Sequence, residues 1–263
     1  MNELTDNTNT VNNPEQAVAE FVGEQFIEWL MDHIGQQMLV MPEILILKTA
    51  KVRPEKIKKF ILQRFLAAEA FLGSREGDPG FLRFAIANLS ESDDPTAESA
   101  LEILEQKRLE ELAGRKIERG TVTITGRELW LKLLMALGLS SEEIERAEAK
   151  EPTRNYIAEL SEVYSTSEWQ TAVGALAALE RAIPEEYRAI LTMLQNNTSL
   201  NVKDFEIFTV DIGSGTKYKA NADHILDKIV FDHETKLLVW EGVKRQMEIR
   251  KEFLASLIKY LEG

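Results

Sequence analysis

The chain contains no cysteine, which excludes disulfides, thiolate metal sites and cysteine nucleophiles. That absence fits a cytoplasmic protein. Histidine is nearly as scarce, occurring only as His33, His224 and His233. His224 and His233 are not spaced to share a helical face, and His33 stands alone, so structural or surface roles are expected. No uncharged apolar run approaches the roughly 20 residues needed to span a bilayer, and no signal-peptide pattern opens the sequence, so no membrane span is expected. Positive charge is in deficit: the formal net charge is −13. Non-specific nucleic-acid binding, which needs clustered Lys and Arg, is therefore not expected. Ser-His-Asp and P-loop arrangements have no local support.

What remains is ordinary for a folded protein: 44% hydrophobic and 29% charged residues, with only 14 Gly and 7 Pro in 263. Residues 1–13 are polar and Asn/Thr-rich with no apolar period, and read as a disordered tail. From Pro14, Ala17, Val18, Phe21, Phe26, Trp29 and Leu30 trace an amphipathic helix that Met41-Pro42 ends or kinks. Helices are predicted from Pro54 to Gly73, from Phe81 to Glu91 and from Asp94-Pro95 to Gly114. The alternation in Gly120-Thr-Val-Thr-Ile-Thr125 predicts a short strand or extended loop. ELWLKLLMALG is strongly apolar helix, and Ser140-Ser-Glu-Glu is a capping signal for a short one. Further helices are expected over about 152–165, 167–182, 185–195, 202–230 and 234–261, the fourth loosened near Gly213-Ser-Gly215. The fold class is all-α: one domain, residues 14–263, of nine or ten helices.

Three carboxylates interrupt apolar helical stripes. Glu91 lies seven residues after Phe84 and three after Asn88; Glu180 lies four after Leu176 and three after Ala177. Asp211 follows Ile207 at i+4 and Phe208 at i+3. Helical geometry stacks such positions on one face, so all three are expected to point at a shared interior. A buried carboxylate needs a proton, a cation or a metal, which makes these the first candidates for chemistry.

Several segments resemble the non-heme branch of the heme-oxygenase-like helical family: thiaminase-II-like proteins, pyrroloquinoline-quinone-synthase-like proteins and diiron oxidases similar to the chlamydial death-domain-associating protein. The matching residues are Asn88-Leu-Ser-Glu91, Ala136-Leu-Gly-Leu-Ser140, Trp169-Gln-Thr-Ala172, Gly174 to Glu180, Pro184 and Tyr187. Phe205 to Asp211 and Glu241-Gly242 complete them. The likeness covers about residues 55–260 and implies a heme-oxygenase-like multi-helix bundle acting on a small, largely apolar metabolite, with no heme expected. In the diiron members, metal is held by Glu and His on one helix, Glu on a second, and His-x3-Asp-x2-His on a third. Glu91 and Glu180 match the two glutamates. Asp211 stands at the first His of the third helix, Gly215 at its Asp and Tyr218 at its last His. An insertion over about residues 94–120 leaves Glu98, Thr125 or Gly126 near the remaining His.

With all three imidazoles missing, the resemblance implies an oxygen-only set: Glu91, Glu180 and Asp211 as metal ligands, with Asp94 or Glu98 nearby. Imidazole suits iron, whereas such a set suits Mg²⁺, Mn²⁺ or Ca²⁺, so the expected cofactor is a divalent metal, Mg, Mn or Fe. The leading expectation is a divalent-metal-dependent, oxidoreductase-like enzyme, plausible in secondary metabolism, with Tyr218 as acid or redox partner. A second reading is Mg²⁺-dependent, terpene-synthase-like isoprenoid diphosphate chemistry. There Asp93, Asp94 and Glu98 hold metal, and the lysines between Lys48 and Lys59 receive the phosphorylated metabolite, unless they form a solvated face. A third is a catalytically dead small-molecule-binding or scaffold protein whose acids are neutralised by cations such as Arg64 or Arg181. A homodimer is one expected assembly.

Overall fold

The structure, a computed structural model, describes residues 14–73, 80–113, 115–117, 122–166, 168–213, 226–227, 229 and 232–262. The expected tail, His224, Gly215 and Tyr218 lie outside the described residues.

Proline at the first helical position, where no N–H is required, starts four helices. These are α1 (Pro14–Glu20), α3 (Pro42–Thr49), α4 (Pro54–Leu72) and α6 (Pro95–Ala113). Gly73 closes α4 in the left-handed conformation, at φ 66°, its N–H bonded to the carbonyl of Glu69. Capping boxes at Thr125/Glu128 and Ser140/Glu143 start α7 (Gly126–Ala136) and α8 (Ser141–Glu145). The strand expectation holds too: β1 (Arg115–Ile117) pairs antiparallel with β2 (Val122–Ile124), Arg115 opposite Ile124. The described residues of the 94–120 segment therefore form α6, which packs on α5 (Phe81–Ser90), and β1.

Two boundary expectations need correction. The helix from Pro14 to Met41 is broken after Glu20, because Gly23 takes φ 48°, and α2 runs Glu24–Val40. Conversely, the segments expected on either side of Ile183-Pro184 are one helix, α10 (Trp169–Asn197). Pro184 removes a single N–H and is itself buried, so packing around it holds the helix together.

The architecture centres on α10 and the antiparallel-length partner α12 (His233–Glu262), each roughly 44 Å long at 1.5 Å per residue. Every side chain from Thr171 to Glu180 is buried. The two helices touch through glycine: a Cβ on Gly174 would strike the carbonyl of Val239, and one on Gly242 the carbonyl of Thr171. Around this pair pack α2, α3, α4, α9 (Glu151–Tyr164) and α11 (Glu206–Gly213), enclosing one contiguous apolar core. Twelve α-helices occur among the described residues. None of them is long and apolar enough to cross a membrane.

Candidate active site

Four helices carry polar side chains into the middle of the core. Arg64 comes from α4, Tyr164 from α9, Glu180 and Glu186 from α10, and Gln246 and Arg250 from α12; each is at most 4% exposed. All occupy positions where the helical period calls for an apolar residue. Arg64 follows Phe60 by four and Ile61 by three, while Arg250 precedes Leu254 by four and Phe253 by three.

Glu186 anchors the group. Its Oε1 accepts from Arg64 Nε at 2.5 Å and its Oε2 from Arg250 Nη1 at 2.7 Å. Burial alone would raise the Glu186 carboxyl above the carboxylate range, but Arg250 and Arg64 outweigh it and hold the group below. Burial likewise disfavours the Arg64 charge, and Glu186 reverses the sign, so Arg64 stays protonated. Arg64 also lies 5.7 Å from the centroid of Tyr187, which meets Trp130 and Phe208 edge-on and forms an aromatic wall.

Tyr164 ends α9 with its ring stacked on Phe81, the centroids 5.7 Å apart. Asn88 fastens this end by donating to the carbonyls of Tyr164 and Thr166 at 3.0 and 2.5 Å. Burial, then the charges of Tyr156 and Glu180, push the Tyr164 phenol well above its ordinary value, with Arg250 pulling the other way. Tyr164 therefore stays a neutral donor, electrostatically coupled to both Glu180 and Arg250. Glu180 lies one turn before Pro184, which supplies no N–H to the Glu180 carbonyl.

Five polar atoms in this interior have no hydrogen-bond partner among the described residues: Tyr164 Oη, Gln246 Oε1 and Nε2, and Arg250 Nε and Nη2. The contrast with Gln63 is instructive. That side chain is also buried, but its Oε1 accepts from Lys150 N and Thr153 Oγ1 while its Nε2 donates to the Glu148 carbonyl, so it is a structural staple.

The sequence-predicted site residues do not all converge. Glu180 is interior, as expected. Glu91 is exposed, a correction: α5 stops at Ser90, and Glu91 is its C-cap, so its side chain leaves the stripe for solvent. Asp94 is half-buried at the start of α6, where its carbonyl accepts from Ala97 N, and Asp93 is exposed. Glu98 is exposed because Ala97, Ala100 and Leu104 take the buried face of α6. Asp211 lies in α11, but its side chain is outside the described residues. Among the described residues no three histidine, aspartate or glutamate side chains gather to hold an ion. Of the expected neutralising cations, Arg64 pairs with Glu186, whereas Arg181 donates to the Met31 carbonyl on α2. His33 packs against Trp29 and Trp240 and bonds Gln37, a structural role.

Glu186, Gln246, Arg250 and Tyr164 were not singled out from sequence. The signal was the one used for the acids, a polar residue in an apolar stripe, extended to Arg, Gln and Tyr.

Comparison with known proteins fits this architecture. The model of the TENA/THI-4/PQQC family matches residues 46–236. No curated protein matches by sequence. Among solved structures, a CADD-like protein of unknown function from Nostoc punctiforme superposes with TM-score 0.70 at 13% identity, over 90% of this chain and 99% of that one. A domain with a heme oxygenase-like fold from Shewanella denitrificans gives TM-score 0.65 at 13% identity, over 91% of both chains. A TenA homolog from Pseudomonas syringae gives 0.64 at 12%, over 94% and 97%. At such identities the likeness speaks for the heme-oxygenase-like fold.

Proposed function

This chain belongs to the TENA/THI-4/PQQC family, and we propose that it is an enzyme moving a proton on a small metabolite held at the buried polar centre. One observation carries the reading: Tyr164, Gln246 and Arg250 keep five interior polar atoms without a partner among the described residues. Each such atom costs about 1–3 kcal/mol of desolvation, and buried polar groups in proteins are otherwise almost always paired. A metabolite with complementary donors and acceptors offsets that cost when bound.

The roles follow from the chemistry of each group. Glu180 is the proton carrier, a buried carboxyl whose charge acts on Tyr164. Tyr164, kept as phenol, hydrogen-bonds the reacting heteroatom. Glu186, saturated by two guanidinium groups, positions Arg250 rather than reacting. These roles are carried by the chain's own side chains, and no step is routed through an ion.

Thermal-shift titration of wild type, Glu180→Gln and Tyr164→Phe tests the reading. The panel is small metabolites including thiamine and isopentenyl diphosphate, each with and without Mg²⁺, Mn²⁺ or Fe²⁺. Binding raises the melting temperature by mass action. The expected result is a metabolite that stabilises wild type without added metal and loses its effect in Tyr164→Phe. Stabilisation by every ligand being unchanged in both variants overturns the proposal. Stabilisation only by the diphosphate with Mg²⁺ overturns it in favour of isoprenoid chemistry.

A further inference from the structure

Resting on that reading of the buried centre, we infer that the metabolite presents a single carboxylate, gripped by the Nε–Nη2 edge of Arg250. A guanidinium is planar, and Nε–H and one Nη2–H form one edge whose spacing matches the two oxygens of a carboxylate. In Arg250 the remaining nitrogen, Nη1, is engaged by Glu186 at 2.7 Å, so the group is fixed from behind. The carboxylate-binding edge is the part left without a partner among the described residues, on a side chain 1% exposed. An arginine placed only for structure would turn that edge toward a carbonyl or carboxylate of the fold.

Local charge selects one negative charge rather than two. Arg64 and Arg250 bring two positive charges, and Glu186 cancels one of them. The one positive charge that remains is matched by a monoanion. A phosphate dianion would leave uncompensated charge in a buried site, where that is costly. Gln246 stands one helical turn before Arg250, with 0% exposure and both amide atoms without a partner among the described residues. It offers one donor and one acceptor to the atoms beyond the carboxylate. Tyr164 faces the same charges from α9 and supplies a neutral hydroxyl.

The test follows the Arg250 Nε–H resonance in protein labelled with ¹⁵N-arginine, titrated with acetate, benzoate, benzamide, phenyl phosphate and thiamine. Arg250→Lys keeps the positive charge beside Glu186 and removes the fork. Benzoate is expected to shift the Arg250 Nε–H signal and to bind at least tenfold more tightly than benzamide, its neutral isostere. In Arg250→Lys that preference should fall at least tenfold. Because the benzoate-to-benzamide ratio is read on wild type, it decides the matter even if the variant does not fold. Equal binding of benzamide, or preference for phenyl phosphate, overturns the carboxylate assignment while leaving the buried centre as a binding site. Thiamine consumed with no benzoate binding does the same. No shift with any probe, together with no stabilising metabolite in the thermal panel, overturns both.

Discussion

Replacing Gln246 by methionine, nearly its equal in volume, should make the protein more stable and less able to bind its metabolite. The reasoning starts from burial: Gln246 is 0% exposed, and neither Oε1 nor Nε2 has a partner among the described residues. Leaving a buried donor or acceptor unmade costs about 1–3 kcal/mol, and methionine removes both without opening a cavity. Repacking a flexible thioether in place of an amide costs up to about 1.5 kcal/mol. The net expectation is a gain of about 1–2 kcal/mol. For a chain of this size about 1 kcal/mol moves the melting temperature roughly 2–4 °C, so the rise should be about 2–8 °C. Urea unfolding should show a higher midpoint with an unchanged slope, the sign of a native-state effect. Gln63, whose amide is fully bonded, is the internal control, and Gln63→Met should destabilise. A fall in melting temperature for Gln246→Met would refute the reasoning, because it would mean that the amide is satisfied and structural. Gain of stability with loss of binding is the pattern expected where function keeps a site polar.

Further expectations follow from the same contacts. Glu186→Gln leaves two buried guanidinium groups without their counter-charge and should cost about 3–5 kcal/mol, read by chemical denaturation. Because Glu186 titrates below its unfolded value of about 4.3, its contribution is present above that pH and is lost as pH falls through the lower folded value. Urea midpoints between pH 5 and 2 should therefore drop steeply for wild type and less for Glu186→Gln. At the alkaline end the buried Tyr164 phenol keeps its proton after the unfolded chain loses it, near pH 10. Stability should decline above that pH, and Tyr164→Phe should flatten the decline. Gly242→Ala forces a methyl group into the Thr171 carbonyl and should destabilise by at least about 1–3 kcal/mol as α10 and α12 separate, measured as a lower melting temperature.

Much of the fold was legible because its signals are local. Pro54 and Pro95 mark helix starts, Ser140/Glu143 a capping box, and the alternation before Thr125 a strand. Pro184 misled, since its burial is a tertiary fact that propensity does not contain. Gly23 misled in the other direction: helical spacing continues through it, but the backbone does not. The site was legible in part. Glu180 interrupts a stripe in the middle of a wholly buried helix, and there the inference from period to interior holds. At Glu91 the same inference meets a helix end, and one residue of difference in the boundary turns the side chain to solvent. The pairing of Glu186 with Arg64 and Arg250 joins positions 122 and 64 residues apart in sequence, and no local pattern encodes it.

The most direct test of the central claim is substrate depletion. Wild type and Glu180→Gln, both shown to be folded, are incubated with a mixed pool of small metabolites, and losses are followed by mass spectrometry. The account predicts that a carboxylate-bearing compound disappears with wild type and persists with Glu180→Gln. Identical profiles for the two proteins would contradict it.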